Sequence, residues 1–146
     1  MKKIIVFLLG IILCFQMLAF AENIVVIVNN DSALFSVKAS PEIKDIKDVY
    51  LGKVKYWKGA AVKAVNQKEK EIIDTFTQKV CGMHLNEYQN YWVKLALESG
   101  SDAPKVLESS ESVISFVQRE KNGIGYVLEN AAKDVEGIKA ILLINR

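Results

Sequence analysis

The sequence holds one histidine, two cysteines and two prolines in 146 residues, and each scarcity removes a class of function. His84 alone cannot build a histidine-rich metal centre, and no group of acids has the spacing of a metal-binding loop. There is no glycine-rich loop of the kind that cradles a nucleotide. Cys14 lies in an apolar run at the N-terminus, so Cys81 is the one cysteine left for the rest of the chain and no intrachain disulfide can staple it. Thiol–imidazole chemistry would need Cys81 and His84 to converge across Gly82, and no third residue is placed to orient them. A thiol near a helix end is more often core filler. The residues therefore predict neither an enzyme nor a cofactor or metal site.

The first 21 residues read as a secretory leader. Lys2 and Lys3 precede the apolar run Ile4–Phe15, and Ala19-Phe20-Ala21 supplies small residues for cleavage before Glu22. An uncleaved anchor is the competing reading, but Ile4–Ala21 is interrupted by Gln16 and falls short of the roughly 20 residues that span a bilayer. With Lys2 and Lys3 set aside, 17 basic residues balance 17 acidic ones. The chain then lacks the concentrated positive charge of a nucleic-acid binder. Residues 22–146 suffice for one domain with its own core and are too few for two.

Along that domain, Ile24–Val28 is a continuous β-branched run suited to the middle of a covered sheet. Ser40-Pro41-Glu42 signals a helix start, Ile43, Ile46, Val49 and Tyr50 share one face, and Gly52 is the stop. Between Gly52 and the next apolar run stand Lys53, Lys55 and Lys58 with Trp57, either an anion loop or a solvated turn pinned by tryptophan. A short strand at Val62–Val65 follows, then a helix over Lys68–Val80 ended by Gly82. Another runs from His84–Asn86 to Glu98, with Tyr88, Tyr91, Trp92 and Leu95 inward and Gly100 beyond. Ser101–Pro104 is a small-residue turn, and Ser109 or Ser110 caps a helix carrying Val113, Ile114 and Val117, which Asn122-Gly123 would end. Ile124–Leu128 and Ile138–Ile144 complete an α/β layered domain.

Polar turns that lead into helices are the candidate anion sites, because helix starts present unpaired amides and partial positive charge. Asn29–Ser32, Asn66–Lys68 and Ser109-Ser110 qualify, although each also has an ordinary reading as a cap or turn. Convergence of the three at one end of a sheet would make a ligand site, since open α/β sheets bind there. The candidate binding residues are Asn30, Ser32, Asn66, Gln67 and Lys68.

The segment SPEIKDIKDVYLGKVKYWKGAAVKAV, a helix with Phe76, then YQNYW and a late NGIGYV follow an order that resembles the periplasmic phosphate-binding proteins of ABC transporters, in particular short single-lobe relatives. Leu51-Gly52-Lys53 with Trp57, and Ile124-Gly125-Tyr126, carry the likeness, which runs from Ile24 to Val127. The resemblance implies a single lobe of the type II periplasmic-binding-protein-like fold, a mixed sheet flanked by helices, at a periplasmic or secreted address. It also implies recognition of phosphate or another small oxyanion without chemistry, and a membrane transporter or other periplasmic protein as partner. In full-length members two lobes close over the anion, and an Arg and a Ser-Gly-Thr turn follow the strand matching Val62–Val65. Here that stretch reads Asn66-Gln67-Lys68-Glu69-Lys70, and the first-strand loop offers Asn30 and Ser32. One lobe leaves an anion open to water, so binding should be weak or need a partner chain. The alternative is an interaction or adaptor module that kept the lobe and lost the ligand, contacting its partner through Trp57 or the lysine loop. On this view Gly52 is a helix stop, the lysines are the solvated side of the crossover, and any site lies just after Val65.

Overall fold

The computed structural model describes residues 21–35 and 40–146; the leader falls on residues 1–20, outside that range, and only its last residue, Ala21, is described. In chain order the elements are β1 (Ile24–Asn29), α1 (Ile43–Tyr50), β2 (Tyr56–Trp57), β3 (Ala60–Ala61), β4 (Lys63–Gln67), α2 (Lys70–Phe76), α3 (Leu85–Ser99), β5 (Lys105–Leu107), α4 (Ser110–Arg119), β6 (Gly123–Leu128), α5 (Glu129–Ala132) and β7 (Ile138–Ile144). Five strands form one mixed sheet in the order β5-β4-β6-β1-β7, and β2 and β3 make a separate small hairpin. β4 runs parallel to both β5 and β6, whereas β1 runs antiparallel to β6 and β7.

The unbroken apolar run of β1 is explained by its place between β6 and β7, where all six residues are buried. Alternation sends Ile24, Val26 and Val28 to a core shared with α1, α2 and α3, and Val25 and Ile27 to a second core under α4. Helices thus cover both faces, as the strand patterns predict.

Several boundaries differ from the sequence reading. Pro41 does not open the first helix; Glu42 is its cap, in a reciprocal box with Asp45. Ile43 is exposed rather than inward. The strand read as Val62–Val65 runs on to Gln67, because Asn66 and Gln67 find partners inside the protein. The helix read from Lys68 starts at Lys70, and after Phe76 it widens into a π-helical turn, Thr77–Cys81, ahead of Gly82. β5, α5 and the β2–β3 hairpin were not read at all; two to four residues show no period.

Gly52 follows α1 at φ +70°, and a Cβ there would stand 2.7 Å from the Trp92 indole. The stop therefore doubles as the seat for α3. Trp57 is half-buried against the first core, its ring 4.7 Å from that of Phe35, which fits the role of a pin for the crossover. Its Nε1 is buried without a hydrogen-bond partner among the described residues.

Candidate functional site

Strand direction decides which polar turns can meet. β4 and β5 both end at one edge of the sheet, with Gln67 opposite Leu107, so Asn66–Lys68 and Ser109-Ser110 lie together. β1 runs the other way relative to β6, whose parallel partner is β4, so Asn29 and the turn after it leave the opposite edge. A six-residue strand separates the two ends by on the order of 17 Å. The expectation that the three turns converge is corrected to two turns.

At the far end, Asn30 is exposed and its amide donates to the Gly137 carbonyl at 3.0 Å. Ser32 is buried and its Oγ accepts from the Leu34 amide at 3.1 Å. Their carbonyls both lie near Lys139 Nζ, at 3.4 and 3.5 Å. Beside them, Asn29 donates to the carbonyls of Val117 and Gln118 at 2.9 and 3.0 Å, closing the C-terminus of α4. This turn is thus occupied in joining β1 to α4 and β7.

At the near end, Asn66 is almost fully buried. Its Oδ1 accepts from the Tyr126 hydroxyl at 3.0 Å, and its Nδ2 donates to the Tyr88 hydroxyl at 3.4 Å. Gln67 is fully buried; Nε2 donates to the Tyr126 carbonyl at 2.8 Å and Oε1 accepts from Ser110 Oγ at 3.4 Å. Lys68 is exposed, with Nζ 3.4 Å from Glu108 Oε2. Ser109 caps α4 by accepting from the Ser112 amide at 3.2 Å. This end therefore joins a helix start, a buried serine hydroxyl, a buried glutamine and one solvated ammonium. Such a set can hydrogen-bond an anion.

Sequence reasoning missed the network behind Asn66. Tyr88 donates to the Tyr50 carbonyl at 3.1 Å, Trp92 Nε1 to the same oxygen at 3.2 Å, and Tyr91 to the Leu51 carbonyl at 2.6 Å. Tyr50 in turn donates to the Val65 carbonyl at 3.0 Å. Three tyrosines and a tryptophan thus clamp the end of α1, between the sheet and α3. The signal was visible as YQNYW, although core spacing alone did not say that its polar atoms bond backbone.

Cys81 is buried, and burial pushes its thiol up from 9.0 to about 12, away from the thiolate a nucleophile requires. His84 is exposed and caps α3: its imidazole accepts from the Glu87 amide, while Glu87 accepts from the His84 amide at 2.8 Å. Among the described residues no group of three His, Cys, Asp or Glu is placed to hold a metal, and no helix is long and apolar enough to cross a membrane.

No family model and no curated protein matches the chain. Solved structures do. One is a phosphate ABC transporter substrate-binding protein of Clostridium perfringens with bound phosphate, 22% identical, TM-score 0.58, covering 82% of this chain and 44% of that one. An ABC-type phosphate transport receptor of Vibrio cholerae is 13% identical with TM-score 0.54, covering 82% and 45%. PstS of Borrelia burgdorferi is 15% identical with TM-score 0.61, covering 84% and 47%. The chain thus spans less than half the length of each of these proteins. Its fold is that of a single periplasmic-binding-protein-like lobe, the architecture of phosphate ABC transporter substrate-binding proteins.

Proposed function

We propose that the chain is exported, with residues 22–146 as its working domain, and that it binds a small oxyanion such as phosphate weakly at the carboxyl ends of β4 and β5. The observation that carries this reading is the meeting of Gln67 and Ser110 there, with Lys68 next in the chain, in a fold shared with a protein solved holding phosphate. The amides at the start of α4 supply hydrogen-bond donors and partial positive charge. Lys68 supplies a cation whose pairing with Glu108 is solvated on both sides, so it can turn to a ligand at little expense. Gln67 positions Ser110 rather than reaching the anion itself. Asn30 and Ser32, at the other end, fall outside this site.

Weakness has a physical basis. Gln67 spends both polar atoms inside the protein, and Glu108 and Glu111 place acid beside the helix start. Calorimetry of the exported chain against phosphate, sulfate and acetate tests the reading. Heat at millimolar phosphate, reduced several-fold by Lys68→Ala and by Ser110→Ala, is expected. Absence of heat and of any thermal shift at millimolar ligand would sink it.

A second reading, an interaction module for a membrane transporter or other periplasmic protein, is favoured by the β2–β3 hairpin. Tyr56 is 68% exposed there, next to Lys55 and close in sequence to Lys53 and Lys58. Charge reversal at Lys53, Lys55 and Lys58 should then abolish cross-linking to a partner while the circular dichroism spectrum stays unchanged. Cross-linking that survives the reversal removes this reading.

A further inference from the structure

The start of α3 is held by groups that titrate. His84, its cap, donates its amide to Glu87 Oε2 at 2.8 Å, and its imidazole accepts from the Glu87 amide in return. The next amide, that of Leu85, reaches across to α2 and donates to Asp74 Oδ1 at 2.8 Å. That same oxygen stands 3.8 Å from His84 Nδ1. The imidazole therefore has two partners in reach, an amide of its own helix and a carboxylate of the helix beside it. The charged groups around it are Lys70 and Asp74 from α2 and Glu87 from α3. The π-helical turn adds Gln78, whose Nε2 donates to Asp74 Oδ2 at 2.9 Å. The His84 side chain is 66% exposed, so solvent protons reach it directly. Serine, threonine, asparagine and aspartate are the usual caps, and none of them turns from acceptor to donor near neutral pH. Histidine does.

We propose that His84 is a pH-operated cap. Neutral, it closes the first turn of α3 on itself. Protonated, the imidazolium has no lone pair left to accept the Glu87 amide, and its charge is disfavoured at the positive end of the helix. Asp74 offers the opposite charge, so the ring turns its Nδ1–H to Oδ1 and ties α3 to α2. The carboxylate is already in place to receive it, with the Leu85 amide on one oxygen and Gln78 on the other. Lys70, in the same groove, opposes the added charge and keeps the balance between the two partners close. The device sits at the foot of the tyrosine clamp. The Tyr88 amide donates to the His84 carbonyl at 2.9 Å, while the Tyr88 hydroxyl joins Asn66 and the Tyr50 carbonyl. Acid thus exchanges a cap within one helix for a link between two, one turn from the residue that fastens α3 to the sheet.

Nuclear magnetic resonance of the exported chain, titrated from pH 8 to pH 5 without added anion, tests the proposal independently of ligand binding. As the imidazole gains its proton, protection of the Glu87 amide should fall about 3–10-fold, once the intrinsic pH dependence of exchange is divided out. The Asp74 side-chain carboxyl carbon should shift in step with the ring. His84→Asn supplies a cap that accepts at every pH, so its Glu87 protection should stay level and its Asp74 carbon should show no step over this range. Three results overturn the proposal. One is a Glu87 amide whose protection stays flat while the ring titrates. Another is an Asp74 carbon that ignores the ring. The third is a Glu87 response that persists in His84→Asn, which would assign it to the carboxylates instead.

Discussion

Gln67 illustrates how one polar residue can suit two opposite readings. Beside a strand end it looks like a ligand group, yet its amide is spent on the Tyr126 carbonyl and on Ser110. Gln67→Ala withdraws both bonds and leaves a gap at a fully buried position, so urea unfolding should show a loss of about 2–3 kcal/mol. A variant as stable as the parent would mean that water replaces the amide. Nothing in the sequence separates Asn66 and Gln67 as core from Asn66 and Gln67 as site, because both roles call for the same side chains. Gly125 of the Ile-Gly-Tyr signature makes the complementary point. A Cβ there would stand 2.4 Å from Val113 Cγ1 and 3.2 Å from Val65 Cγ2. Gly125→Ala should therefore push α4 away from the sheet, at a loss of about 1–3 kcal/mol measured by thermal or chemical unfolding. The signature marks close packing, not ligand contact.

The elements show where periodicity suffices and where it fails. α3 was legible almost to the residue and α4 at its start, because each combines an inward stripe with a cap or stop written in adjacent residues, such as Ser109 before α4 and Gly100 after α3. α4 ends at Arg119, short of the Asn122-Gly123 stop, because Gly123 already opens β6. β5 was not, since three residues carry no pattern and the strand exists only through β4. The C-terminus of α4 depends on a residue 88 positions away: Asn29 donates to its Val117 carbonyl and also to that of Gln118. Asn29→Ala leaves both acceptors without this donor, and a loss of about 1–3 kcal/mol is expected, with faster amide exchange confined to the last turn of α4. Exchange that is unaltered there would remove Asn29 as the cap. The clamp at the end of α1 is likewise a tertiary device. Tyr88, Tyr91 and Trp92 were read as apolar filling, and their spacing was right, but their hydroxyl and indole groups hold the Tyr50 and Leu51 carbonyls.

For the molecule as a whole, the buried acidic hydrogens set a limit at high pH. Burial pushes Cys81 and Tyr88 up to about 12, and raises Tyr50 and Tyr126 well above 10.0. The unfolded chain releases these protons first, so stability is full below pH 9 and falls as pH climbs towards 12. Denaturant midpoints across that range should decline, and Cys81→Ala should delay the onset from about 9 to about 10, where the tyrosines begin. A flat profile would mean that the tyrosine network opens to solvent without unfolding.

The sequence by itself determined the layered α/β class, the order of its long elements, the scarcity of reactive groups and the likeness to phosphate-binding proteins. These follow from local patterns: apolar runs, stripes, caps and stops. It also singled out Gly52 and Trp57 as scaffold residues, the first against Trp92 and the second against Phe35. Only the tertiary structure decided that Asn30 and Ser32 lie at one end of the sheet and Gln67 and Lys68 at the other. Whether β1 runs parallel or antiparallel to β6 is set by how the strands pair across nearly a hundred residues, and no local property of either strand encodes that choice.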